Sequence, residues 1–411
     1  MDIHSAFING DLTEEVYMKQ PPRYPTTNPD LVCWLHKSLY GLKQVSRQWN
    51  AKFSSVLLAF GFRQSKCDYS LFTLRKCLDF IVLLLYVDDM VIGRTCEALI
   101  TSVKLYLHEC FNIKDLGAMK YFLGLEICSS SSGLILNQRK YTLDLLHDAG
   151  FLNAKPLTSP TELNTHISIH SGTSLDDPSC YHQLIGRLMY LTLTRLNINY
   201  IVNNLSQFLQ QPSDKHLQAA HCVLRYVLRY LKGSPRQGLF FLFTHSFELH
   251  AFCNSDWGGY LDSHRFVSGF CIILGGSLVS WKSKKQHIVS LSSAEVEYRA
   301  MPNTYNELVW LSTLLTDFYV PHSRPIPLHC DSKVAIHIGN NLIFHEHTKH
   351  IEMDCHVVHE KVHFGFLQLL HISSTEQPSD LLTKPIIVNQ IQYLLCKLNV
   401  LDAHRSPCGG C

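Results

Sequence analysis

Leu83-Leu84-Leu85-Tyr86-Val87-Asp88-Asp89-Met90-Val91-Ile92 places two adjacent carboxylates between two apolar runs, and the stretch contains no basic residue. The apolar runs predict a β-hairpin over Ile81–Ile92 with the acids at its tip. Two close anions repel each other and lose hydration when they are placed there. A divalent cation would balance them, because Mg²⁺ prefers hard oxygen ligands. The alternative is a solvated Asp-Asp turn in an ordinary hairpin.

Composition excludes several classes of protein. The 411 residues suggest about two to three domains, and a hydrophobic content of 46% excludes a disordered chain. The net charge of +2 is low for a nucleic-acid enzyme, so any basic surface must be local. The longest apolar run, Ile81–Val87, is too short to span a bilayer, and Asp2, His4 and Asn9 interrupt any signal-peptide core. We therefore expect no membrane partner and an intracellular location, cytoplasmic or nuclear, with reduced cysteines.

Further motifs flank the acidic stretch in a characteristic order. They are Met1–Leu12 (MDIHSAFINGDL), Ser38–Gln44 (SLYGLKQ) followed by Arg47 and Trp49, Asp115–Gly117 (DLG), and Lys120–Ile127 (KYFLGLEI). Together with Tyr86-Val87-Asp88-Asp89 they resemble the copia-type retrotransposon Pol polyproteins, namely the C-terminal part of the reverse transcriptase and the ribonuclease H domain. The resemblance runs from Met1 to about Pro385.

The resemblance implies a mixed fold, α+β or α/β, in three parts and a tail. We expect a reverse transcriptase palm at 1–127, a mainly helical thumb and connection at 128–250, an RNase H-like domain at 251–400, and a tail at 401–411. Sequence patterns predict helices and strands for these parts, with a Ser/Thr/Pro-rich linker over Asn153–Pro178. The predicted helices are Lys43–Phe60, Tyr181–Leu209 and Asp214–Leu231; the predicted strands are Leu249–Asp256, Phe266–Leu274 and Leu278–Leu291.

Phosphoryl transfer needs charge stabilisation by metal ions more than covalent help, and two-metal sites bridge their ions with carboxylates from separate strands. By resemblance Asp2 and Asp88 bind Mg²⁺ or Mn²⁺, and Asp89 assists them. The substrates would be an RNA template, a DNA primer and dNTPs. Further roles follow from motif position: Tyr86 near the primer end, Phe7 excluding a ribose 2′-hydroxyl, Lys43 and Gln44 near nucleotide or template, and Leu123-Gly124 as a primer-grip turn. The alternative interpretation is that the aromatic residues are ordinary core residues and that Lys43 is an ordinary surface lysine.

In the family a fingers region precedes the Asp2 motif, whereas this sequence begins at Met1. We therefore expect the fingers to be absent, the Asp2 strand to have a frayed start and one missing edge, and the chain alone to have little polymerase activity.

The ribonuclease H site of the family uses four acids. By resemblance Glu297, Asp331 and Asp380 are three of its metal ligands, while Asn254 stands where the first acid belongs. Glu295 has a structural explanation, because Ser292 and Glu295 fit a helix capping box. Asn brings no charge to offset divalent cations. Asp256 lies on the same strand face roughly 6.5–7 Å further along, so it could substitute only after a register shift or a reorganisation of the site.

Basic residues recur in two places. Arg225, Arg229 and Lys232 fall on one helix face, and Lys282 and Lys284 lie in a basic run. The functional interpretation is contact with nucleic-acid phosphates, including those of an RNA–DNA hybrid. The alternative is a solvated surface.

These motifs predict a retrotransposon-derived RNA-directed DNA polymerase with a hybrid-cleaving ribonuclease domain, impaired in this copy. Leu196 and Asn197, where the family shows Pro and Asp, also suggest decay. A rival hypothesis is a non-catalytic nucleic-acid-binding remnant, and other retroelement proteins are candidate partners. A zinc site using the six histidines from His345 to His363, or Cys408 and Cys411, is a weaker alternative.

Overall fold

The computed structural model describes residues 1–22, 24, 28, 31–159, 168, 172–243, 246–260, 265–290, 292–320, 322, 325–341 and 352–402. The chain divides into two compact units, Met1–Met119 with Trp310–Pro321 and Lys120–Val309 with His322–Cys411. Cys408, Cys411 and the first three of the six histidines, His345, His347 and His350, lie outside the described residues. Within those ranges, no helix has the length and apolar character needed to cross a membrane.

Eleven α-helices are described. They are α1 Val45–Phe60, α2 Glu97–Phe111, α3 Arg139–Asp148, α4 Ser179–Leu191, α5 Asn199–Ser206, α6 Asp214–Gly233, α7 Ser293–Asp317, α8 Lys333–Asn340, α9 Glu352–His363, α10 Asp380–Thr383 and α11 Val388–Lys397.

The described strands form four sheets. They are β1 Asp2–Ile3, β2 Asp11–Lys19, β3 Val32–Lys37, β4 Arg63–Gln64, β5 Leu71–Lys76, β6 Asp79–Tyr86, β7 Asp89–Arg94, β8 Ile113–Lys114, β9 Tyr121–Phe122, β10 Leu125–Ser129, β11 Gly133–Asn137, β12 Gln237–Leu242, β13 Leu249–Tyr260, β14 Arg265–Leu274, β15 Ser277–Lys285, β16 Ile326–Cys330, β17 Leu367–His371 and β18 Val400–Asp402.

In the first unit, a six-stranded sheet in the order β4-β5-β6-β7-β1-β8 carries the acidic hairpin. Alternate residues of β6 (Ile81, Leu83 and Leu85) are buried, so one face of the sheet forms the core. The predicted hairpin and the predicted helix at 43–60 are both confirmed, with the helix beginning at Val45.

The expected missing edge of the Asp2 strand is wrong. Strand β1 pairs with β7 on one side and with β8 on the other. Its start is also held, because the Met90 N–H donates to the Met1 carbonyl at 2.9 Å. The short β8 follows helix α2 directly and supplies the second neighbour, which propensity alone could not indicate for a two-residue strand.

The second unit contains a helical core and a sheet in the order β18-β12-β11-β10-β9. The single helix predicted over Tyr181–Leu209 is wrong: α4 ends at Leu191 and α5 begins at Asn199. The break brings Arg195 fully inside the protein, where its guanidinium donates to the Gln237 side chain at 2.8 Å. Burial lowers the pKa of Arg195 to about 10. These tertiary contacts outweigh the helical pattern of the segment.

The third sheet has the order β15-β14-β13-β16-β17. Its first three strands are antiparallel, and β16 and β17 run parallel to β13. Two predicted strands are confirmed with small shifts, whereas the predicted strand Leu278–Leu291 ends at Lys285. Strand β18 pairs with β12, so a sheet joins segments on both sides of the predicted boundary at residue 250. The three-part division remains a prediction.

Candidate catalytic sites

The turn at the tip of the β6–β7 hairpin has an unusual backbone. Tyr86 pairs with Asp89 across a two-residue loop, and Val87 has a φ of 57°. A left-handed conformation is strained for a β-branched residue, and turns of this kind favour glycine there. Two bonds hold the turn: the Trp49 indole N–H donates to the Val87 carbonyl at 2.8 Å, and the Ile3 N–H donates to the Asp88 carbonyl at 2.9 Å. Such strain is typical of functional sites.

Three acids converge at this turn. Asp2 in β1 lies directly opposite Asp89 in β7, and Asp88 occupies the loop between the strands. Partial burial, then the neighbouring Asp88 and Asp2 carboxylates, raise the pKa of Asp89. None of the three forms an ion pair within the described ranges. The Met1 amino group opposes this shift in the Asp89 pKa, and a set of oxygen donors with such net repulsion fits a divalent cation.

The other residues assigned to the polymerase motifs lie in the same unit, except the predicted primer-grip turn. The Phe7 ring meets the Tyr40 ring edge-on at 5.5 Å, Lys43 is exposed, and Gln44 precedes the first turn of α1. Tyr86 is 56% exposed beside the strained turn. Their proposed contacts with substrate stay predictions.

Leu123 and Gly124 form the loop between β9 and β10 in the second unit. Both residues have positive φ angles, 48° and 81°, as a two-residue hairpin turn requires. The Tyr190 hydroxyl donates to the Leu123 carbonyl at 2.6 Å and fixes the turn. The turn that the motif predicted is therefore present.

The second acidic cluster lies at the third sheet, where Asn254 and Asp380 are both buried. The Asn254 amide donates to Asp380 Oδ1 at 2.8 Å and to the Thr383 hydroxyl at 2.6 Å. Lys384 Nζ lies 2.8 Å from Asp380 Oδ2. Burial raises the pKa of Asp380 to about 6, although Lys384 lowers it. Both oxygens of this carboxylate thus already have partners inside the protein.

Glu297 and Asp331 lie together, close enough to Asp380 for the carboxylates to interact. Glu297, in the first turns of α7, is buried and accepts the Ser255 N–H at 3.1 Å. Burial, followed by the neighbouring Cys330 and Asp331, raises its pKa well above the usual range. Asp331, at the end of β16, accepts the Ser374 hydroxyl at 2.8 Å.

Cys330 belongs to this cluster, and sequence reasoning missed it. Its thiol lies 3.8 Å from Glu297 Oε2, and the ligand atoms of Glu297, Cys330 and Asp331 all lie within 4.8 Å of one another. In the described part of the chain, this trio is the one group of three potential metal ligands whose ligand atoms all lie within 4.8 Å of one another. No sequence pattern indicated it, because neighbouring residues at the end of a strand normally face opposite ways.

Glu295 and Asp256 differ in their contacts from the proposed ligands. The Glu295 N–H donates to the Ser292 hydroxyl at 3.2 Å, as the capping prediction required, and the Glu295 side chain pairs with Arg299 at 3.0 Å. Asp256 is partly buried, which raises its pKa, and Lys384 opposes that shift. The strand register is irregular beyond Asp256, between it and Tyr260.

Two of the three basic side chains of α6 already donate hydrogen bonds to backbone carbonyls. Arg229 donates to the Lys155 carbonyl at 2.7 Å, and Lys232 donates to the Ala154 carbonyl at 2.6 Å. Arg225 is exposed. A phosphate would have to compete with these two hydrogen bonds. This face of α6 is therefore a weaker candidate for contact with nucleic-acid phosphates than the residue spacing suggested.

Lys282 and Lys284 are exposed on β15 and line a cavity of about 250 Å³ together with Asn303 and Asn306 of α7. Both lysines remain available to a polyanion, as the sequence predicted for a hybrid-binding surface.

The comparisons with known proteins agree with these motifs. Residues 1–163 match the family described as Reverse transcriptase (RNA-dependent DNA polymerase). The chain is 40% identical over 97% of its length to the retrovirus-related Pol polyprotein from transposon RE1 of Arabidopsis thaliana, and 35% identical over 97% to that from transposon TNT 1-94 of Nicotiana tabacum. It spans 27% and 30% of those relatives.

A shorter relative is covered completely. A putative transposon Ty5-1 protein of Saccharomyces cerevisiae is 30% identical over 75% of this chain and 100% of its own length. The family match ties the chain to a reverse-transcriptase-related function. This chain belongs to the copia-type retrotransposon Pol polyproteins.

Proposed function

We propose that residues 1–127 form the palm of an RNA-directed DNA polymerase and that residues 251–400 form a ribonuclease H-like domain whose nuclease site is impaired. Residues 128–250 would connect them as thumb and connection. The observation that carries the polymerase assignment is the meeting of Asp2, Asp88 and Asp89 on adjacent strands at a strained turn. Reverse transcriptases act on nucleic acids and typically use divalent metals.

At the palm, Asp2, Asp88 and Asp89 would hold Mg²⁺ or Mn²⁺. The bound ions would supply charge stabilisation during phosphoryl transfer. The chain's own contribution is positional: Trp49 and Ile3 fix the loop carbonyls, so that the carboxylates stay together despite their repulsion. The exposed Tyr86 leaves this tip accessible to a primer terminus.

Fe²⁺-directed cleavage of the polypeptide tests the palm assignment. Fe²⁺ replaces Mg²⁺ at oxygen sites, and hydroxyl radicals formed there from added peroxide, with ascorbate to regenerate Fe²⁺, would cut the chain close to the hairpin tip. We expect cuts near Tyr86–Asp89 that Mg²⁺ suppresses and that Asp88→Asn abolishes. Asp79→Asn, at the far end of β6, is the matched control and should leave them unchanged. A cutting pattern that Asp88→Asn does not alter would overturn the assignment.

The nuclease assignment is supported by the strand order β15-β14-β13-β16-β17, and by acids from three separate segments at one end of that sheet. Impairment follows from Asn254. Its amide occupies Asp380 Oδ1 as a donor, whereas an acid there would be a further anionic ligand.

Cleavage of a labelled RNA–DNA hybrid in Mg²⁺ tests this part. We expect the native chain to be inactive and Asn254→Asp to gain Mg²⁺-dependent cleavage, which Asp331→Asn in the same background should remove. Cleavage by the native chain would refute the impairment. If both chains are inactive but retain salt-sensitive hybrid binding, the second candidate, a non-catalytic nucleic-acid-binding remnant, would stand. The internal bonds of Asp380 to Asn254 and Lys384 favour that candidate.

A further inference from the structure

We propose that Glu297, Cys330 and Asp331 form a mixed sulfur–oxygen site that binds Zn²⁺ in preference to Mg²⁺. The proposal rests on the proposed function in one respect, because it concerns the metal used by the same nuclease-like site. It changes the expected occupant of that site from a hard cation to a thiophilic one.

The geometry suits a single ion. The three ligand atoms lie within 4.8 Å of one another and come from helix α7, the last residue of β16 and the residue after it. Zinc bonds of about 2.3 Å to sulfur and about 2.1 Å to oxygen place two ligands of one tetrahedral ion about 3.6 Å apart. Small side-chain rotations would therefore bring all three donors onto one ion.

The sulfur atom decides which ion is preferred. Thiolate ligands select Zn²⁺ over Mg²⁺, while Mg²⁺ demands near-octahedral oxygen coordination. Cys330 is fully buried with its sulfur beside Glu297, and the Ser332 N–H donates to that sulfur at 3.4 Å. This bond would support the thiolate, and zinc binding would release the thiol proton to solvent.

The remaining nuclease-type residues do not restore an all-oxygen site. Asn254 supplies no charge, and Asp380 already accepts from Asn254 and Lys384. What is left is one sulfur and two carboxylates. Three protein ligands with an open fourth position is the ligand count of catalytic zinc sites.

The neighbouring Cys253 is a poor fourth ligand in this arrangement. It follows Phe252, which pairs with His329, so it lies beside Cys330 across parallel strands. Its thiol hydrogen-bonds Cys330 and also lies 3.8 Å from the His329 carbonyl, but it does not belong to the group whose ligand atoms all lie within 4.8 Å of one another. We therefore assign the site to three residues.

The test is a spectroscopic titration of the full chain after chelator treatment. Cd²⁺ reports thiolate ligation by an ultraviolet charge-transfer band, and competition measures Zn²⁺ affinity against excess Mg²⁺. We expect a band that Zn²⁺ abolishes and Mg²⁺ does not. Cys330→Ser should remove the band and weaken Zn²⁺ binding by about tenfold or more. Glu297→Gln should weaken binding but keep the band, which covers the case that Cys330→Ser fails to fold.

Two controls address the other thiols. Cys271→Ser changes a buried thiol of the same sheet outside the cluster, and Cys408→Ser with Cys411→Ser removes the terminal pair. Both should leave the band intact. The proposal fails if no band forms, if the band survives Cys330→Ser, or if Mg²⁺ displaces it.

Hybrid cleavage by Asn254→Asp, measured in parallel, separates the two proposals. Cleavage without a charge-transfer band would overturn the zinc site and leave the nuclease assignment standing. A band that depends on Cys330, without cleavage, would support the zinc site and count against the nuclease assignment.

Discussion

The two acidic clusters of this chain balance their charge in opposite ways. At the hairpin tip, Asp88 is exposed, Asp2 and Asp89 are only partly buried, and none of the three has an ion-pair partner within the described ranges. At the third sheet, Asp380 is buried and bonded to both Asn254 and Lys384. The carboxylates at the hairpin tip face solvent, whereas the charge of Asp380 is offset by groups of the protein itself. The comparison teaches that one amide and one lysine can give a buried carboxylate internal partners in place of solvent or ions.

Asn254→Asp is the strongest test of this contrast. It removes the donor to Asp380 and buries a second carboxylate beside the first, so we expect unfolding in EDTA to become easier by about 3 kcal/mol. Mg²⁺ should restore much of that loss in the variant, in addition to the stabilisation that Mg²⁺ binding at the hairpin tip gives both chains. Urea unfolding with and without Mg²⁺ measures both. Asp256→Asn on the same strand is the control, and metal-independent stability of Asn254→Asp would contradict the contrast.

Trp49→Phe tests how the cluster at the hairpin tip is held together. The indole N–H is bonded to the Val87 carbonyl, and Trp49 is 2% exposed. Losing this donor and part of the ring should cost about 2 kcal/mol. Trp34→Phe, at a 55% exposed tryptophan of the same unit, should change stability by less than about 0.5 kcal/mol. Equal losses in urea unfolding would show that the bond to the turn is unimportant.

Acid should lower the stability of the region around Asp380 and β16, because it favours protonation of His329. Burial, followed by His250 and Lys397, lowers the pKa of His329 to about 4. The unfolded chain would take up this proton near pH 6.5. The stability is therefore complete above about pH 6.5 and is lost as the pH falls towards 4, by about 1.5 kcal/mol after allowance for partial exposure.

Hydrogen exchange can localise this effect. Between pH 7 and pH 5, the amides of β16 should lose protection in the native chain and lose less in His329→Gln. His250→Gln is the companion variant, because its ring stacks 5.9 Å from His329. Identical pH dependence in native chain and His329→Gln would exclude His329 as the cause.

Val87→Gly should give the smallest effect, and it should be stabilising. Glycine relieves the left-handed strain, but its greater freedom in the unfolded chain offsets part of the gain, leaving about 0.5 kcal/mol. Val87→Ala keeps the Cβ and should give no such gain. A loss of stability in Val87→Gly would mean that the valine side chain contributes packing that outweighs the strain.

The sequence predicted the parts of the fold that depend on short-range pattern. The acidic hairpin, α1 and the first two strands of the third sheet follow from local periodicity. The mismatch at Asn254 was also visible from motif position. What could not be predicted depends on distant contacts. Arg195 interrupts a helical pattern because its buried guanidinium reaches Gln237.

Side-chain direction was the other limit. Neighbouring residues of a strand normally face opposite ways, so Cys330 and Asp331 would not be expected to share a site. The strand ends at Cys330, and the chain then turns so that both ligand atoms approach Glu297. Such a change at a strand end leaves no signature in composition or periodicity.

The pairing of β18 with β12 has a consequence for how this chain is made. Leu239 in β12 pairs with Val400 in β18, although the two are far apart in sequence. During synthesis, the edge of β12 that pairs with β18 stays uncovered until nearly all of the described chain has been produced. Contacts of such separation slow folding, and an uncovered strand edge invites pairing with another molecule. The interval before β18 docks is therefore the stage at which a chaperone would protect this protein most.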